Sequence, residues 1–185
     1  MFTVTTERFG TYTHLKLINT TTGEHFSFFP DFGASINHLR LQKGTKLFDL
    51  IDGSNNLEKL LGDGKRVFKG SKLFPFPNRI ANGRYTFKGK AYQLPINFSS
   101  EGHAIHGLVL DKKFKIVEKN AKSNGVIVQI EYNYDGKNPG YPFPYLLRIK
   151  YTLKEIDGVI CETVFKNTGV SAMPMGDGWH PYFQT

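Results

Sequence analysis

One cysteine in 185 residues excludes an internal disulfide. Cys161 lies in an apolar-rich run with Val159, Ile160, Val164 and Phe165, which reads as a small buried hydrophobe in preference to a nucleophile. Long hydrophobic runs are also missing: no stretch approaches the ~18 uninterrupted apolar residues of a membrane helix. The first twenty residues carry Glu7 and Arg8 where a secretory leader would be apolar. The expectation is a cytoplasmic protein without a membrane partner, in which the Asn-x-Ser/Thr triplets at Asn19 and Asn97 are not glycosylated. Cofactor motifs are absent as well. Gly62-Asp63-Gly64-Lys65 lacks the spacing of a phosphate loop, no Gly-x-Gly-x-x-Gly opens a helix, and no Gly-x-Ser-x-Gly elbow occurs. His103 and His106 lie three apart, but zinc needs three or four ligands, so neither a metal nor a cofactor is expected.

Aromatic residues are plentiful: 16 Phe, 9 Tyr and 1 Trp, within 39% apolar and 22% charged residues. That composition excludes disorder, collagen and coiled coil, and the length fits a single domain over 1–185 with no internal boundary. The net charge of +8 is concentrated. Between Lys65 and Lys90 stand Lys65, Arg66, Lys69, Lys72, Arg79, Arg84, Lys88 and Lys90, without an Asp or Glu. Solvated strand edges would account for them, with the lysines pointing outward. No helix-turn-helix, zinc or RNA-binding pattern accompanies this charge, so nucleic acid is not an expected partner.

Periodicity points to strands. Val126, Val128, Ile130, Tyr132 and Tyr134 alternate with Gln129, Glu131 and Asn133, and Tyr145, Leu147, Ile149, Tyr151 and Leu153 with Arg148, Lys150 and Thr152. Asp157-Gly158 then turns into a third strand over Val159–Phe165, giving an antiparallel meander. Short strands are also predicted over Phe2–Thr6, Tyr12–Ile18, Glu24–Phe29 and Ser35–Leu41, and a hairpin joins Tyr85–Phe87 to Ala91–Leu94. Only Asn55–Leu61 looks helical. His14, His25 and His38 fall in strand-like runs and read as strand-surface or packed residues. The fold class is all-β, an antiparallel sandwich.

Two segments carry chemistry. Phe74-Pro75-Phe76-Pro77-Asn78-Arg79 stiffens the chain before an arginine, and Gly178-Trp179-His180-Pro181-Tyr182-Phe183 surrounds a histidine with aromatics. With His106-Gly107 they suggest a carbohydrate pocket, in which rings cover the C–H faces of a sugar while Arg and imidazole bind its hydroxyls. Asn78-Arg79-Ile80-x-x-Gly83-x-Tyr85-x-Phe87-x-Gly89-x-x-Tyr92-x-Leu94, followed by Asn97, His106-Gly107, Tyr141-Pro142-Phe143-Pro144 and Gly178 to Phe183, resembles the aldose 1-epimerase (galactose mutarotase) family from about Gly33 to Thr185.

The resemblance implies a galactose mutarotase-type β-sandwich, no cofactor, and interconversion of the α and β anomers of a free galactose- or glucose-like aldose. Arg79, His106 and Asn78 would bind the sugar, with His106 also at the reacting ring and His180 the general acid at the ring oxygen. The implied general base is a glutamate downstream of His-Pro-Tyr-Phe, with a sugar-binding aspartate before it. The sequence ends two residues after that element. The expectation is therefore a sandwich incomplete at its C-terminus, holding the acid without the base and associating with itself through an exposed edge. A hexose-6-phosphate 1-epimerase and a non-catalytic carbohydrate-binding relative are the alternatives. Glu101 and Asp177 stand near the histidines in sequence, and nothing beyond proximity makes either a base.

Overall fold

The computed structural model describes residues 1–66, 68–155 and 157–184, without the side chains of 63–66. Five antiparallel strands open the chain: β1 (Phe2–Phe9), β2 (Tyr12–Asn19), β3 (His25–Phe29), β4 (Ser35–Lys43) and β5 (Lys46–Asp49), paired in that order. A helix, α1 (Leu57–Arg66), follows, with the Asn56 carboxamide oxygen accepting from the Lys59 amide at 2.8 Å as an N-terminal cap. Short strands come next: β6 (Lys72–Leu73), β7 (Arg79–Ile80), β8 (Arg84–Phe87), β9 (Lys90–Gln93) and β10 (Ala104–Ile105). A four-stranded meander closes the order with β11 (Lys115–Lys122), β12 (Gly125–Tyr134), β13 (Tyr145–Lys154) and β14 (Gly158–Asn167), before the two-residue β15 (Gly178–Trp179).

The period of two decides which faces meet. Leu15, Leu17, Phe26 and Phe28 of the first sheet and Val126, Val128, Ile130, Leu147, Ile149 and Tyr151 of the second are all nearly inaccessible and form one core. Tyr151 sits at its centre, with ring centroids 4.3 Å from Phe28 and 5.0 Å from Phe26. Its hydroxyl donates to the Ala34 carbonyl at 2.9 Å, so the phenol reaches the core without stranding a polar atom. The all-β sandwich read from the sequence is the observed architecture. Six strands escaped that reading: β5 and β11, whose sequences KLFD and KIVEKNAK carry too few apolar residues to alternate clearly, and the two-residue β6, β7, β10 and β15, too short to show a period.

Cys161 departs from expectation. It pairs with Tyr151 and shares its face, yet it is exposed, because β14 is the last strand of its sheet and Phe165 on the same face is 40% exposed. Neighbouring atoms still desolvate the sulfur enough to push the thiol up to about 12, so exposure does not make it a nucleophile. The outward-lysine reading also fails at one position, since Lys72 is completely buried. Lys65 and Arg66 lie outside the described side chains.

His14, on β2, is 6% exposed, its ring stacked on Phe29 at 4.8 Å and its Nε2 facing the Asn37 amide at 3.4 Å. Burial, then His38, Lys16 and His25, lower its pKa from 6.5 to about 4. Between those values the unfolded chain binds the proton and the folded one does not, so acid favours unfolding. Stability should therefore fall as pH drops from about 6.5 towards 4, by up to about 1.4 kcal/mol per pH unit from His14. Urea midpoints at pH 7 and 5 check this: the drop should be smaller in His14→Gln, and an unchanged drop would contradict the assignment.

Candidate active site

The Phe74-to-Arg79 segment runs between two partners. Leu108 donates its amide to the Phe74 carbonyl at 2.8 Å, and Gly176 donates to Pro75 at 2.6 Å. Phe74-Pro75 is a cis peptide. At its end β7 pairs with β10, Arg79 opposite Ile105, which puts His106 one residue beyond the ladder. Asn97 fixes that ladder: its side chain accepts from the Ile105 amide at 2.7 Å and donates to the Ile105 carbonyl at 2.8 Å. Gly107 follows with φ +86, and a Cβ there would lie 2.1 Å from the Phe74 carbonyl oxygen, so only glycine permits this approach.

His106 is itself held at φ +61, a conformation L residues rarely adopt. Its Nδ1 lies 2.9 Å from the Pro77 carbonyl oxygen; a carbonyl can only accept, so Nδ1 carries the proton and Nε2 keeps its lone pair. Burial lowers its pKa, and His180 and Arg79 push the same way against the Pro77 carbonyl. The ring is therefore neutral at pH 7. It meets Phe68 edge-on at 4.7 Å and His180 at 5.1 Å with 76° between planes.

His180 is positioned from the other side. Its amide donates to the Ser71 carbonyl at 3.0 Å, its carbonyl accepts from Gly70 at 2.9 Å, and its ring stacks on Tyr182 at 5.4 Å. Asn78, Arg79, His106 and His180 line one cleft of about 400 Å3, walled by Phe68, Phe98 and Tyr182. Arg79 is half-exposed, stands 5.6 Å over the Phe98 ring, and donates to both oxygens of Glu101, at 2.6 and 3.2 Å. The pair raises the Arg79 pKa and lowers that of Glu101. The Asn78 side-chain oxygen is spent on the Arg79 amide at 2.8 Å, leaving its NH2 as donor. Cavity size alone would have chosen differently: a space of about 620 Å3 lies among Phe32, Phe76, Pro95, Leu108 and Tyr134. Among the described residues no histidine or arginine lines it, so the chemistry points to the smaller cleft.

A family model described as aldose 1-epimerase matches residues 16–185. This chain belongs to the aldose 1-epimerase family. It is 30% identical over 153 residues to rat galactose mutarotase, a match covering 82% of this chain and 42% of that one. It is 41% identical over 113 residues to Escherichia coli YihR, covering 61% of this chain and 35% of that protein. Among solved structures, a galactose mutarotase-like protein from Clostridium acetobutylicum superimposes with TM-score 0.80 at 19% identity, over 98% of this chain and 54% of the other. The chain thus spans about half of that structure and less than half of these curated relatives.

Within this family member the motif elements divide between site and scaffold. Tyr141 and Phe143 of the Tyr-Pro-Phe-Pro element are buried away from the cleft, packed edge-on against each other with Phe143 also against Tyr92, while the Tyr85 hydroxyl donates to the Gly140 carbonyl at 2.8 Å. His103 leaves the cleft too, its Nδ1 accepting from the Asn82 amide at 3.2 Å. Among the described residues no group of three or more His, Cys, Asp or Glu could hold a metal. The basic window disperses: Lys69 bonds to Asp52, Lys72 to Asp177, Arg84 to Gln93, and Lys88 and Lys90 lie over Phe87 and Tyr92. Of those cations described, Arg79 alone lines the cleft. Sequence reasoning missed two site-related contacts, Glu101 with Arg79 and Lys72 with Asp177; no spacing signal marks either, since both join distant segments.

Removing the Asn97 side chain leaves two Ile105 backbone groups unpaired. Asn97→Ala should cost about 1–3 kcal/mol in urea unfolding, and Asn97→Asp, which keeps the acceptor, less. Equal stability of Asn97→Ala and the parent would show that these bonds do not hold β10.

Proposed function

We propose that the cleft binds a free aldose and that the protein is an aldose 1-epimerase, interconverting the α and β anomers of a hexose. The observation that carries this reading is the edge-on contact of His106 and His180 beside Arg79 in an open cleft. Ring opening removes a proton from the anomeric hydroxyl and adds one to the ring oxygen, breaking the bond from C1 to the ring oxygen. The C1–C2 bond turns, and the ring closes on the other face with the protons returned. His180 supplies the proton at the ring oxygen. His106 offers its Nε2 lone pair to a sugar hydroxyl, Arg79 and the Asn78 amide donate to others, and Phe98 and Tyr182 cover the C–H faces.

Two features bear on the alternatives. No second cation of the described set lines the cleft beside Arg79, which favours a free sugar over a hexose 6-phosphate. No Asp or Glu is among the described residues lining it, and Glu101 is engaged with Arg79. That second feature favours a non-catalytic carbohydrate-binding role for these 185 residues taken alone.

Polarimetry of freshly dissolved α-glucose and α-galactose separates these readings. An acid without its base forfeits about 10²–10⁴ in rate, so the 185-residue chain should accelerate mutarotation weakly, and His180→Ala should abolish what remains. Sugar binding with no acceleration at all would favour the binding role. Vigorous catalysis abolished by Glu101→Gln would show that the base is present in the chain, and tighter binding of a hexose 6-phosphate, lost with added salt, would overturn the free-sugar reading.

A further inference from the structure

Lys72 carries a charge where none of its side chain meets solvent. A buried ammonium is costly unless each of its three N–H groups finds a partner. Here Nζ donates to Asp177 Oδ1 at 2.5 Å and to Thr163 Oγ1 at 3.0 Å, and lies 4.5 Å from the centre of the Trp179 indole. Burial lowers the amine's pKa, and Asp177 opposes that shift.

The partners matter for where they sit. Asp177 is three residues before His180 and Trp179 one, and Thr163 lies on β14. The flanks of the 177–180 segment are tied by backbone bonds, Gly176 donating to Pro75 at 2.6 Å and Asp52 to Tyr182 at 2.9 Å. The segment's ladder with β6 is two residues long, Gly178 opposite Leu73 and Trp179 opposite Lys72, extended by the Ser71 and Gly70 bonds to His180. Segment 70–79 carries, further along, the Phe74 and Pro77 carbonyls that hold Leu108 and His106. A slip of 177–180 along this segment would therefore change where His180 stands relative to His106.

We propose that Lys72 and Asp177 are positioning residues: the pairing of the buried Lys72 ammonium with the part-exposed Asp177 carboxylate fixes the register of the His180 segment, and so sets the geometry of the two histidines across the cleft. The pair touches no substrate. An ion pair with a buried member is a poor source of net stability, since apolar replacements of similar volume are often neutral or stabilising, but it tolerates no misregister, because a slip leaves the buried Lys72 ammonium alone. A methionine at Lys72 with a leucine at Asp177 fills the space without demanding one register.

The importance of that geometry for sugar rests on the proposed function; the geometry itself does not, and the test separates them. Histidine ring NMR on the ligand-free protein reads the His106–His180 proton contact directly. In Lys72→Met/Asp177→Leu, with thermal unfolding near the parent's, the His106–His180 cross-peak should weaken at least threefold and the His180 ring shift should move. Asp177→Asn, which keeps the size and the hydrogen bond to Lys72, should restore part of the contact. Galactose binding, if the parent shows it, should weaken about tenfold in the double variant. An unchanged cross-peak and His180 shift in a folded double variant would overturn the proposal. A double variant that unfolds would also overturn it, by showing that the pair carries the fold. If the parent binds no sugar while the cross-peak behaves as expected, the functional reading fails and the positioning role stands.

Discussion

One extended segment, Gly70 to Arg79, is shared by everything in the cleft. Its Gly70 carbonyl accepts from Ile36 at 2.8 Å, anchoring it to β4, and the Gly70 amide and Ser71 carbonyl hold His180. Phe74 and Pro77 hold Leu108 and the ring of His106. The segment ends in Arg79. Backbone groups buried in this way must be paired, and each pairing here brings in a different part of the chain. Gly70 shows how tight the fit is: a Cβ there would stand 2.0 Å from the Ile36 carbonyl oxygen. Candidate site side chains spread over a hundred positions become neighbours because one strand-like stretch is hydrogen-bonded on both sides.

Electrostatics in this protein follow from burial. His14, His25, His38 and His106 are all shifted below the ordinary imidazole value, with desolvation the first cause in each. Lys72 cannot neutralise so easily and is matched with Asp177. Arg79 remains half-exposed and meets its carboxylate at the surface, where a hydroxyl-bearing ligand can compete for it. The cleft thus offers a neutral acceptor, a second imidazole and an exposed bidentate donor, a set suited to an uncharged polyhydroxy ligand.

Much of this was legible in the sequence, and for a physical reason. β12 and β13 alternate over most of their length, so most of their inward faces could be read residue by residue, and the glycine and proline punctuation around Asn78, His106 and His180 marked segments whose backbone is constrained. The helix was only half visible, as Asn55–Leu61. What escaped were pairings between distant segments: Glu101 with Arg79, Lys72 with Asp177, and the edge position of β14 that leaves Cys161 exposed. Local periodicity reports which face a residue takes, but not which strand lies beside it or whether anything covers it. Lysine in particular reads as solvated unless its partner is known.

The central claim is that the fold holds His106 neutral, with its proton on Nδ1 against Pro77 and its Nε2 lone pair kept for a sugar hydroxyl. Long-range 1H–15N correlation of the imidazole nitrogens at pH 7 measures this directly. The account predicts a protonated-type Nδ1 and an unprotonated-type Nε2 for His106, with Nε2 moving when galactose is added. An imidazolium, or a proton on Nε2 with Nδ1 bare, would contradict it.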